Sequence, residues 1–150
     1  MSDYKKIKFH LITPEKVVLE KEIDEAIVPT QEGLVGILPN HTTLVSLLEP
    51  GEMILRSDNK EEFLAVGTGS VEIVNGNLTI LADAAAKAEE IDVDKAEAAR
   101  KKAEELMAQI EPESPEYASM MARIQTDLAW ARVAKRKKYR KKKDYKMEQK

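Results

Sequence analysis

Residues 71–81 read VEIVNGNLTIL, and this stretch decides the fold. Val71 and Ile73 alternate with Glu72 and Val74, then Asn75-Gly76 interrupts, and Asn77-Leu78-Thr79-Ile80-Leu81 alternates again. A period of two marks a strand with one face toward a core. Asn-Gly readily takes the positive φ angles of a type I′ turn, so the stretch predicts a tight antiparallel hairpin. Toward the N-terminus the same texture continues. Ile7, Phe9 and Leu11 alternate with Lys8 and His10, which places His10 on the solvent side. Pro14 ends that strand, Val17-Val18-Leu19 starts the next, and residues 23–28 form a third that Pro29 stops. Met53 and Leu55 lead into the turn Ser57-Asp58-Asn59-Lys60, whose side chains bond their own backbone, and residues 63–66 return. Many short strands at this spacing predict a sandwich or barrel in place of a parallel sheet.

After Gly76 there is no further glycine, and from Asp83 alanine, lysine and glutamate take over. These are good helix formers. Ile91-Asp92-Val93-Asp94 reads as a helix start: Asp92 caps free N–H groups, Asp94 suits the positive end of the dipole, and Ile91 with Ala96 forms a staple. Ala96, Ala99, Ala103, Leu106 and Ile110 then fall at alternating three- and four-residue intervals, a heptad seam. Glu111-Pro112-Glu113-Ser114-Pro115 breaks the helix, with Ser114 as a cap for a second one. Tyr117, Met121, Ile124, Leu128 and Ala131 repeat the seam, and Trp130 beside it reads as packing or interface. Two matching seams joined by a short loop predict an antiparallel helical hairpin. An alanine-rich seam buries little area, so the hairpin is expected to be weakly held and able to open.

The chain has 150 residues, enough for one mid-sized domain or a small domain with an appendage. It lacks cysteine, which excludes disulfides, thiolate chemistry and sulfur-bound zinc, and its two histidines do not suffice for a histidine-built metal site. No apolar run is long enough to span a bilayer, and the N-terminus lacks the features of a secretory signal, so an intracellular protein is expected. The formal charge of −3 divides into −12 over residues 1–131 and +9 over residues 132–150. An acidic body with a basic tail points to an electrostatic partner for the tail.

Catalytic signatures are lacking: no nucleophile elbow, no HExxH and no phosphate loop occur. Gly67-Thr68-Gly69-Ser70 precedes a strand, so its glycines read as a bend. His41 has no acid or base partner nearby in sequence and reads as a loop or interface residue. On the residues alone, an alternative stays open: a stand-alone β-sandwich adaptor whose basic tail binds nucleic acid or anionic lipid, with Tyr139 and Tyr145 stacking on single strands.

Two blocks carry a resemblance. EGLVGILPNHTTLVSLLEPG at residues 32–51 and GTGSVEIVNGNLTILADAAAKAEEIDVDKA at residues 67–96 resemble, in order and spacing, the epsilon subunit of rotary F-type ATP synthases. The similarity runs from Ile12 to about Val133, and Glu32, Gly33, Gly36, Pro39, Asn40 and His41 are its most specific part. It implies an α+β fold: a ten-stranded antiparallel β-sandwich over residues 1–86 and a regulatory two-helix hairpin over 87–138; the basic tail over 139–150, longer and more basic than is usual in the family, reads from its like charges as solvated and disordered. The implied role is that of a non-catalytic central-stalk rotor subunit, with catalysis residing in other subunits. The sandwich would grip the gamma subunit and the rotor ring of c subunits through Glu32, Gly33, Leu34 and His41. Extended, the hairpin would inhibit ATP hydrolysis by meeting acidic surfaces of the catalytic beta and alpha subunits. Nucleic acid is not an implied partner, and membrane association, peripheral on the cytoplasmic side, would come only through the complex. No permanent cofactor is implied, but some members bind regulatory ATP through Ile-Asp-x-x-Arg-Ala. Here Ile91, Asp92, Lys95 and Ala96 occupy that motif, with a lysine that lacks the planar guanidinium fork.

Overall fold

A computed structural model describes the backbone of residues 6–148 and the side chains of residues 6–136. The strands are β1 (Ile7–Ile12), β2 (Val17–Ile23), β3 (Glu25–Thr30), β4 (Gly33–Ile37), β5 (Leu44–Leu48), β6 (Gly51–Ser57), β7 (Lys60–Val66), β8 (Gly69–Val74), β9 (Asn77–Ala82) and β10 (Ala85–Lys87). A single 3-10 turn, Ala88–Glu90, leads to helices α1 (Val93–Gln109) and α2 (Tyr117–Glu148).

The strands form two five-stranded layers. One runs β10-β7-β6-β3 with β4 beside β3, and the other runs β5-β8-β9-β1-β2. A single paired position, Thr30 opposite Leu48, links them. Pairing is antiparallel except between β1 and β9, which run parallel. The expected hairpin is present as β8 and β9, with both turn residues, Asn75 and Gly76, at positive φ. Inward positions of both layers fill one core, including Phe9, Leu11, Met53, Leu64, Val71 and Ile80. His10 faces outward, as its parity requires, and bonds Glu20 at 3.1 Å.

Pro29 does not stop β3. It lies inside the strand opposite Leu34 of β4. Its missing N–H falls in a gap, because β6 pairs with β3 only as far as Ile27 and β5 joins only at Thr30. The Pro29 carbonyl still accepts from Glu49 N at 3.0 Å. Gly36 sits mid-strand in β4, opposite Ile27, and is not among the glycines at positive φ.

The helices pair as the seams require. Ala96, Ala103, Ile124 and Ala131 are buried, while Leu106 at the open end is exposed. Asp92 caps α1, its carboxylate accepting from Asp94 N and Lys95 N, and Ile91 and Ala96 share one apolar cluster. Ser114 Oγ accepts from Glu116 N at 3.3 Å, one turn ahead of α2. Trp130 packs against the cluster that joins the helices to the sandwich. The backbone of α2 continues beyond residue 138 to Glu148. No glycine or proline follows Pro115, and lysine, arginine and methionine favour the helix, so composition offers no stop. The side chains of the basic tail, Tyr139 and Tyr145 among them, lie outside the described residues.

Candidate functional site

The β3–β4 turn forms a built tip. Thr30 is the buried polar side chain among the described residues, and its hydroxyl does two jobs. It donates to Gly33 O at 2.8 Å and accepts from Glu32 N at 3.2 Å. Gly33 has φ +107°, which an L side chain rarely adopts. The result is a tight reversal that holds Glu32 in solvent and leaves Leu34 73% exposed. Gln31 N donates to Leu47 O at 3.0 Å, tying the tip to β5 in the other layer.

From Leu47 an apolar row crosses the outer face of that layer. Leu47 pairs with Ser70, Ser70 with Leu81, Leu81 with Ile12, and Ile12 with Val17. Opposed residues point to the same face. Leu47, Leu81 and Val17 are all exposed, at 56%, 47% and 52%. Val17, Leu47 and Leu81 make an apolar rim across this layer, whereas Leu34 is exposed on β4 of the other layer, beside Pro29, Pro50 and Glu52. Beside the rim a cavity of about 430 Å³ is lined by Ile12, Pro14, Thr68, Ser70, Leu81 and Asp83. One row further along β5, Val45 is 73% exposed.

His41 lies elsewhere. It closes a turn in which its N–H donates to Leu38 O at 3.1 Å, with Pro39 second and Asn40 third at φ 69°. That is the pattern of a type II turn. The ring Nδ1 lies 2.7 Å from Thr42 O. A carbonyl only accepts, so Nδ1 carries the proton in this contact. Glu32 and His41 sit at opposite ends of β4, which is roughly 17 Å long at 3.3 Å per residue. The structure therefore brings Glu32, Gly33 and Leu34 together and sets His41 apart.

The second set of predicted residues borders a cavity of about 440 Å³ where the 3-10 turn and α1 face α2. Ile91 and Ala96 contribute apolar wall and are buried. Lys95 enters the lining with Glu90, Asp92 and Asp127, and Thr126 and Trp130 complete the α2 side. The charged part of the lining thus holds three carboxylates and one ammonium. The Asp92 carboxylate is already engaged by the Asp94 and Lys95 N–H groups, at 3.0 and 3.1 Å.

Comparison with known proteins matches both parts of this architecture. Residues 6–88 match the family model "ATP synthase, Delta/Epsilon chain, beta-sandwich domain", and residues 89–135 match "ATP synthase, Delta/Epsilon chain, long alpha-helix domain". The chain belongs to the ATP synthase delta/epsilon family. Its relatives include the ATP synthase epsilon chain of Nitratidesulfovibrio vulgaris, 35% identical over 86% of this chain and 96% of that one. The epsilon chain of Syntrophobacter fumaroxidans is 38% identical over 87% of this chain and 97% of the relative. A similar fold occurs in the cryo-EM structure of the Euglena gracilis mitochondrial ATP synthase OSCP/F1/c-ring. The TM-score is 0.69 and the identity 22%, over 89% of this chain and 83% of that one.

As an epsilon-type member of the family, the chain is a non-catalytic subunit of an ATP synthase. Among the described residues no helix is long and apolar enough to cross a membrane. Glu32, Gly33 and Leu34, singled out from the sequence, form the β3–β4 tip, but the exposed row of Val17, Leu47 and Leu81 was missed. A signal was present: in Leu44-Val45-Ser46-Leu47-Leu48 apolar residues occupy both parities, so one strand face must show apolar side chains to the outside.

Proposed function

We propose that this epsilon subunit is a central-stalk component of an F-type ATP synthase that transmits rotation through its sandwich and restrains ATP hydrolysis through its hairpin. The exposed apolar row of Val17, Leu47 and Leu81 carries the reading, with Leu34 exposed at the Glu32 tip that Gln31 ties to Leu47, because soluble monomers rarely expose large apolar patches. Each residue of the row is already about half buried, so covering it fully would contribute on the order of 1 kcal/mol. The rim and the Glu32 tip are the surface offered to the gamma subunit and the ring of c subunits, and the His41 turn is a separate contact at the other end of β4. The basic stretch from Arg132 onward suits acidic surfaces of the catalytic beta and alpha subunits when the hairpin extends. Location follows from the complex: peripheral to the cell membrane, on its cytoplasmic side.

Regulatory ATP is not part of this reading. One lysine against Glu90, Asp92 and Asp127 does not suit a triphosphate, which needs several donors and net positive charge. Calorimetry of the isolated chain with Mg-ATP is expected to show no binding at physiological nucleotide concentrations, and a micromolar isotherm would contradict this.

Assembly is the direct test of the docking surface. Leu47→Asp combined with Leu81→Asp leaves the isolated chain folded, since both side chains already face solvent. The variant is expected to fail to co-purify with the gamma subunit. Undiminished co-purification would place the contact elsewhere.

A further inference from the structure

We propose that Glu52 and Arg136 form a latch that closes the helical hairpin onto the sandwich, and that breaking this pair is the first event in hairpin release. The inference concerns the isolated chain and goes beyond the proposed place in the complex. Docking depends on α2, which packs across β6 and β7, whereas α1 packs chiefly on α2. The docked stretch of α2 offers small side chains: Ala129, Ala131, Val133 and Ala134 are buried. Alanines bury little apolar area, so packing alone holds the helix weakly.

At the end of that stretch the chemistry changes. Arg136 donates twice to Glu52, Nε to Oε2 at 3.0 Å and Nη2 to Oε1 at 3.1 Å. This is a bidentate fork on a carboxylate. The Glu52 side chain is only 10% exposed, while that of Arg136 is 46% exposed. The guanidinium also lies 5.1 Å from the centre of the Phe63 ring, on the neighbouring strand. Glu61 adds attraction from farther away. The arrangement is asymmetric in consequence. With α2 in place, Glu52 has lost most of its water and depends on Arg136. Without Arg136 the carboxylate loses both of its bonded donors, and lifting the helix is what returns it fully to water. An acidic surface that competes for Arg136 would therefore both capture the helix and unlock it.

Hydrogen exchange on the full chain tests the latch. Arg136→Gln is expected to lower amide protection across α1 and α2 by about tenfold, leaving β1, β8 and β9 unchanged. Glu52→Gln should give a smaller loss, because it removes the buried charge and leaves Arg136 partly in water, and the double variant should lose no more than Arg136→Gln alone. Arg136→Lys, which keeps the charge but not the fork, should fall between. Raising salt from about 0.05 to 0.5 M should loosen the helices of the unaltered chain but not those of Arg136→Gln. The proposal is overturned if Arg136→Gln leaves helix protection within about twofold, or if the two single losses multiply in the double variant. Should Glu52→Gln loosen the sandwich as well, the Arg136 variants decide, because that residue lies on the helix surface.

Discussion

Gly69 has no room for a side chain: a Cβ there would lie 1.7 Å from the Leu81 carbonyl oxygen, a backbone atom that cannot swing aside. Gly69→Ala is expected to lower unfolding stability by roughly 3 kcal/mol in a denaturant titration. Gly36 is the opposite case, with nothing within 4 Å and an extended backbone. Gly36→Ala should raise stability by about 0.5 kcal/mol, because it restricts only the unfolded chain. A loss of 1 kcal/mol or more would show that Gly36 is held in a strained conformation after all. Some of this scale was legible in advance. Asn75-Gly76 and the Asp92 cap follow from local chemistry, and Asp92→Ala should cost about 1 kcal/mol in helix stability, read by circular dichroism. Pro29 was not legible, since its place in β3 depends on where two distant strands end and begin.

Elements built from neighbouring residues were the readable ones. The β8–β9 hairpin and the two helical seams follow from periodicity and turn chemistry within a few residues. The parallel pairing of β1 with β9 and the Thr30–Leu48 link join segments far apart in sequence, and no local pattern announces them. Neither did texture separate β4 and β5, whose glycines and doubled apolar parities blur the alternation. The helical seam makes its own prediction. Ala103 is 1% exposed, with Ile124 buried on the facing helix. Ala103→Leu adds volume where the backbones approach, at a cost of about 1–3 kcal/mol. The penalty should appear as faster hydrogen exchange in both helices while the sandwich keeps its protection. Equal loosening of the sandwich would mean that the two parts unfold as one unit.

Across the whole molecule the apolar burial is divided unequally. The sandwich core is large and interlocked, built from Ile, Leu, Val, Phe and Met, whereas the cluster joining hairpin to sandwich is mostly alanine. Such a division lets one part stay folded while the other lets go. It also explains why the site was only half visible. The Glu32 tip is local and could be picked from its glycine and turn, but the apolar rim exists only after five strands align. Charge follows the same partition, with the basic stretch placed on α2. The most direct measurement is ATP hydrolysis by the assembled complex carrying either the full chain or a chain truncated after Ala88. The account predicts that the truncated chain assembles normally and that hydrolysis rises several-fold by about the factor an inhibitory contact of 1–2 kcal/mol would impose. Normal assembly with unchanged hydrolysis would contradict it, because the hairpin would then restrain nothing.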